Sequence, residues 1–70
     1  MHFALFDTVI LTRDRPDAGL RAGARGAIIG LFDKPEVAYE VEFCDDDGRT
    51  LAELALSADE LAPDVSAPRS

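Results

Sequence analysis

The chain is poor in the residues that build covalent and metal-centred chemistry. It has one cysteine, Cys44, and one histidine, His2. A single thiol excludes an internal disulfide, and a zinc site of thiolates and imidazoles, which normally takes four ligands, cannot be assembled from these two side chains. A Ser-His or Cys-His pairing would have to use His2, beside the initiator methionine, so the chain reads as a non-enzyme without a cofactor. No apolar run approaches the roughly 20 residues needed to span a bilayer. The start, "MHFALFDTVILTRDRP", has no basic region ahead of its apolar stretch, and Asp7 and Thr8 interrupt it, which argues against a cleaved secretory signal. The expected compartment is the cytoplasm.

Basic residues are also scarce. Seven stand against fourteen acidic ones, for a formal charge of −7. That balance repels phosphate backbones and favours a basic protein surface as partner, unless the acidity serves only to keep a small protein in solution. Seventy residues make a single domain. A chain of this size buries only about 60% of the surface its unfolded form exposes, so deep enclosed pockets are not expected.

What is present is apolar alternation. Leu5, Asp7, Val9 and Leu11 share one face of an extended segment, and Phe6, Thr8 and Ile10 the other. "RDRPDAGLRAG" then places Pro16, Gly19 and Gly23 in a loop of about ten residues. "ARGAIIGLF" resumes the pattern, with Gly26 and Gly30 pointing to a bulged or bent strand of a sheet that curls onto itself. After the turn "DKPE", Val37, Tyr39, Val41 and Phe43 line one face and Glu40 and Glu42 the other, the cleanest period-two signal in the chain. The aromatic pair Tyr39 and Phe43 is assigned to the core.

"RTLAELAL" reads as a strand with Thr50, Ala52, Leu54 and Leu56 on one face and Leu51, Glu53 and Ala55 on the other, although Leu51, Leu54 and Leu61 also fit a helix. Ser57 and Glu60 have capping-box spacing, which predicts one helical turn before a last strand over residues 61–65. The domain is expected to occupy residues 1–65, and the Pro- and Ser-containing residues 66–70 a disordered tail.

Between the two best strands lie three aspartates, Asp45, Asp46 and Asp47, followed by Gly48. Asp-Gly is a strong hairpin-turn pair. A calcium loop with Gly48 at its sixth position would put Phe43 at the first, where an oxygen ligand is required, so that reading fails. A solvated hairpin tip also lacks the burial that splits the pKa values of a catalytic carboxylate pair. Cys44 falls on the face of Glu40 and Glu42 with no cationic neighbour in sequence to activate it.

"GLRAGARG" matches neither phosphate-binding glycine fingerprint and precedes a strand, so its glycines are read as shaping the chain's entry into that strand. Arg13, Arg15, Arg21 and Arg25 nevertheless cluster on an otherwise acidic chain, giving a basic end and an acidic end, a dipolar layout suited to protein docking.

The order of segments, "LFDTVILTRDRPDAGLRAGARGAIIGLF" and then "AYEVEFCDDDGRTLAELALSADEL", resembles the bacterial family named domain of unknown function 4926, across roughly residues 4–65. The most specific part is "YEVEF", the acidic residues, "GRT" and the leucine-rich run ending in "DEL". The resemblance implies an all-β fold, a small SH3-like barrel of about five antiparallel strands similar to KOW-type modules, and no catalytic residues. It also implies a gene neighbourhood of the toxin–antitoxin or immunity kind. The expected function is a non-enzymatic protein-binding module, with Glu40, Glu42, Asp45, Asp46, Asp47 and Glu53 as an acidic docking surface. Two alternatives stand beside it: a nucleic-acid or ribosome-associated module using Arg13, Arg15, Arg21 and Arg25 on phosphates, and an accessory subunit of a larger enzyme. A homodimer through edge strands is compatible with each.

Overall fold

The computed structural model describes residues 3–65, so the expected tail at 66–70 lies outside the described residues. Five antiparallel strands form one sheet: β1 (Thr8–Leu11), β2 (Arg25–Phe32), β3 (Ala38–Cys44), β4 (Thr50–Leu56) and β5 (Leu61–Pro63), in the spatial order β4-β3-β2-β1-β5. This is the strand order of an SH3-like barrel, with the last strand returning beside the first after a single 3-10 turn, Ala58–Glu60. The expected box caps that turn: Ser57 and Glu60 bond reciprocally, and the Ser57 N–H donates to Glu60 Oε2 at 3.1 Å.

β2 is the central strand of the sheet: residues 25–27 pair with β1 (Val9 opposite Gly26), and residues 26–32 pair with β3 around a bulge. All five strands thereby send side chains into one core, where Val9, Leu11, Ile28, Val41, Phe43 and Leu56 are fully buried. Each such side chain contributes about 1.5–3 kcal/mol by leaving water. Gly26 is the most crowded of the glycines: an added Cβ would lie 2.7 Å from Val41 Cγ1 and 2.9 Å from the Glu42 carbonyl oxygen. Crowding by two core side chains and the backbone of β3, rather than an unusual backbone angle, requires glycine there.

Two bulges correct the simple alternation. On β2 the extra residue is Ile29, between the pairs Ile28–Val41 and Gly30–Glu40, so Leu31 joins the face of Tyr39 and Phe32 that of Ala38 and Glu40. On β4 it is Leu51, between Cys44–Thr50 and Phe43–Ala52. Thr50 is thereby turned away from the inward face of Ala52, Leu54 and Leu56 on which the sequence pattern put it; its hydroxyl bonds Glu42 Oε2 at 3.1 Å on the outer side.

The ends of the pattern shift as well. β1 begins only at Thr8, because residues 3–7 form a turn in which Asp7 N–H donates to the Ala4 carbonyl at 3.1 Å and Phe6 takes a φ of 70°. Leu5 is consequently exposed rather than in phase with Val9, and Phe3 enters the core instead. β5 stops at Pro63 and leaves Val65 exposed, and Val37 precedes β3 and is exposed. The long loop is irregular as expected, but well tied. Arg15 and Leu20 exchange backbone bonds at 2.8 and 3.0 Å around a 3-10 turn, Pro16–Ala18, and Leu20 is buried in the core.

Candidate functional site

Register decides which side chains share the outer face of β2, β3 and β4. Successive rows read Phe32–Ala38, then Gly30–Glu40–Ala55, then Ala27–Glu42–Glu53, then Cys44–Thr50. Glu42 and Glu53 stand directly opposite each other, a like-charge pairing that destabilises a sheet. Gly30 and Ala55 flank Glu40 across the two neighbouring strands. No Lys or Arg lies within ion-pairing distance of Glu40, Glu42 or Glu53 among the described residues. Three of the predicted residues are therefore gathered on one face, and Cys44 is exposed beside them.

The aspartates form the tip of the β3–β4 hairpin, and they divide in role. Asp45 Oδ1 accepts from the backbone N–H of Asp47 and of Arg49, both at 2.9 Å. The Asp45 N–H reaches the Arg49 carbonyl at 2.9 Å, and Gly48 takes a φ of 82°, which is a type I turn followed by a left-handed glycine. Asp45 thus shapes the turn, while Asp46 and Asp47 are exposed and extend the acidic face beyond the sheet. Among the described residues no group of three or more His, Cys, Asp or Glu side chains is arranged to hold a metal ion.

The arginines are placed differently. Arg13 pairs with Asp59 at 3.2 Å, and Arg15 with Asp17 at 3.2 Å and Glu60 at 3.3 Å. Arg25 pairs at 2.8 Å with Asp64, whose side chain is nearly buried. Arg21, on the loop, is exposed. The hydrogen bond from Arg15 holds the Asp17 carboxyl below its ordinary range, and Asp17 in turn raises Arg15. Asp59 is lowered chiefly by the hydroxyl of Ser57, which donates to it, with Arg13 adding charge. The loop is therefore stitched to the turn before β5, and its positive charge is largely met within the chain. Sequence spacing carries no sign of these pairings, since Arg13 and Asp59 are 46 residues apart.

One further feature went unpredicted. An open groove of about 410 Å³ lies at the end of the β2–β3 hairpin, lined by Phe3, Leu31, Phe32, Asp33, Val37 and Tyr39. The signal in the sequence was the apolar run after Gly30, which the expected alternation did not place.

Fold and surface together define a small SH3-like β-barrel whose acidic outer face meets no Lys or Arg within ion-pairing distance among the described residues. The chain belongs to the family Domain of unknown function (DUF4926), whose model matches residues 5–63. No curated protein and no solved structure matches it.

Proposed function

We propose that this protein is a non-enzymatic binding module that docks a basic protein surface on the outer face of β3 and β4. The observation that carries this reading is the contrast in ion pairing. Glu40, Glu42 and Glu53 have no cation near them among the described residues, whereas Arg13, Arg15 and Arg25 are engaged with the chain's own carboxylates. Like charges facing each other across neighbouring strands are relieved by an incoming cation, and they steer association as well. Asp46 and Asp47 lengthen the surface, while Asp45 supports it by holding the turn. The cytoplasm is the proposed compartment, and a neighbouring toxin-like gene product fits as partner, with this chain as its antitoxin or immunity protein.

The test is affinity purification of the tagged protein from its native cells at moderate salt, beside a Glu40→Lys/Glu42→Lys double variant. The reading expects one stoichiometric basic protein that the variant loses while keeping the wild-type fold. Equal recovery by both forms overturns the assignment. Recovery of RNA that is lost when Arg13 and Arg21 are replaced supports the phosphate-binding alternative instead.

A further inference from the structure

The groove beside the acidic face has the makings of a peptide site. Its floor is the ring of Tyr39, buried, with the Phe3 ring edge-on at 5.4 Å and 84°. Its walls are Leu31, Phe32 and Val37, which remain 51%, 47% and 55% exposed, a concentration of apolar surface that burial in the core does not explain. Past Ile28 the edge of β2 that had faced β1 has no backbone partner among the described residues, because β1 pairs only with Arg25–Ala27 and the turn before it reaches Ile28 alone. Apolar walls and an unpaired strand edge thus lie side by side, the combination that accepts an added strand.

Charge selects the occupant. Among the described residues Asp33 is the one charged residue lining the groove, and it has no ion pair there. Phe32 leads directly into the row of Glu40 on the outer face. A second copy of a chain with formal charge −7 would bring Asp33 and Glu40 toward their own kind, whereas a basic segment meets both carboxylates favourably. We infer that the groove and the free edge of β2 take an extended segment of a basic protein, seating one large apolar side chain against Leu31, Val37 and Tyr39 with a lysine or arginine beside it on Asp33. The inference rests on the protein-binding reading above and adds to it the conformation and chemistry of the bound segment.

Synthetic peptides of about eight residues test it, with a central tryptophan, lysines two positions to either side and threonines between, followed by amide chemical shifts of the isotope-labelled protein. Shifts are expected at Ile29–Phe32 and at Tyr39. Replacing the tryptophan by serine should weaken binding at least about tenfold. Leu31→Ser and Val37→Ser, both at exposed positions, should weaken the tryptophan peptide while leaving the remaining amide spectrum in place, and Asp33→Lys should do likewise.

Equal binding of the peptide without tryptophan, with shifts confined to Glu40, Glu42 and Glu53, overturns the groove and leaves the acidic docking face standing. Tryptophan-dependent binding that survives Glu40→Lys/Glu42→Lys supports the groove and counts against that face. Equal binding of glutamate-flanked peptides overturns the basic occupant, and a concentration-dependent dimer joined at the edge of β2 overturns the peptide altogether. So does absence of any shift at about millimolar peptide.

Discussion

Replacing Gly26 by alanine is the sharpest test of the fold. Gly26 is buried between Val9 of β1 and Phe43 of β3, and the added methyl carbon would stand 2.7 Å from Val41 Cγ1, 2.9 Å from Phe43 Cδ1 and 2.9 Å from the Glu42 carbonyl oxygen. Two of these neighbours are core side chains and the third is strand backbone, so relief requires β3 to move away from β2. Overpacking of this kind costs about 1–3 kcal/mol, and the stiffer unfolded chain returns about 0.4–1 kcal/mol, leaving a net loss of ~1–2 kcal/mol. For a domain of this length each kcal/mol lowers Tm by about 4–8 °C, so Gly26→Ala should melt roughly 4–16 °C below wild type. Gly30→Ala is the control. Its methyl would meet only Glu40 Cβ, at 3.2 Å and on the outer face, where the contact can relax, and its Tm should stay within about 4 °C. Thermal melts by circular dichroism decide the matter; a Gly26→Ala protein that melts with wild type refutes the packing argument.

Other perturbations probe the hairpin tip, the cap and the acid limb. Asp45→Ala removes the acceptor shared by the Asp47 and Arg49 amides, and should cost about 1 kcal/mol in urea unfolding, whereas Asp46→Ala should be near neutral. Gly48→Ala forces a side chain to a φ of 82° and should cost about 1 kcal/mol although nothing crowds it; an unchanged urea midpoint would contradict the turn. Ser57→Ala breaks the capping box and should cost about 0.5–2 kcal/mol, again read from urea unfolding. Asp17 and Asp59 are more acidic folded than unfolded, so the stability they lend is fully present above the ordinary aspartate range and is lost as pH falls through their depressed folded values. Asp17→Asn and Asp59→Asn should therefore each flatten the acid end of the stability–pH curve, leaving its slope near neutrality unchanged.

Much of this architecture was legible because alternation and turn chemistry act locally. Tyr39, Val41 and Phe43 are buried with Glu40 and Glu42 on the opposite face, as their period-two spacing requires, and Asp47-Gly48 and Ser57–Glu60 occupy the turn and cap their spacing predicts. Several misplacements originate in strand registers that local pattern does not encode. A bulge at Leu51 turns Thr50 to the side of Glu42, and one at Ile29 re-aims Leu31 and Phe32, so that the groove exists only once β2 has been paired with β3. Leu20 was hidden within a loop that looked like punctuation, and it is buried because the bridge from Arg15 folds the loop back on the barrel. The acidic face was half legible: the side of β3 was evident, but Glu53 opposite Glu42 follows from register alone.

The arginine pairings give the loop a reason that phosphate recognition does not. Arg13 and Arg15 join the segment before Leu20 to Asp59 and Glu60, and the Thr12 N–H donates to the Glu60 carbonyl at 2.9 Å, so the same few residues fix both the loop and the entry to β5. β5 is only three residues long and forms one edge of the sheet, and a strand this short gains little from its own ladder. Arg25, reaching from β2 to Asp64 just past the end of β5, secures its other end. An ion pair as exposed as Arg13–Asp59 is worth little alone, but together with the less exposed Arg15–Glu60 and Arg25–Asp64 it bridges elements whose burial in the core, through Leu20 and Leu61, these pairs hold in place. Cations used in this way are not available to the outer face of β3 and β4, where Glu40, Glu42 and Glu53 have no ion pair among the described residues. Closure of a small barrel and an acidic outer face are thus two consequences of one distribution of charge.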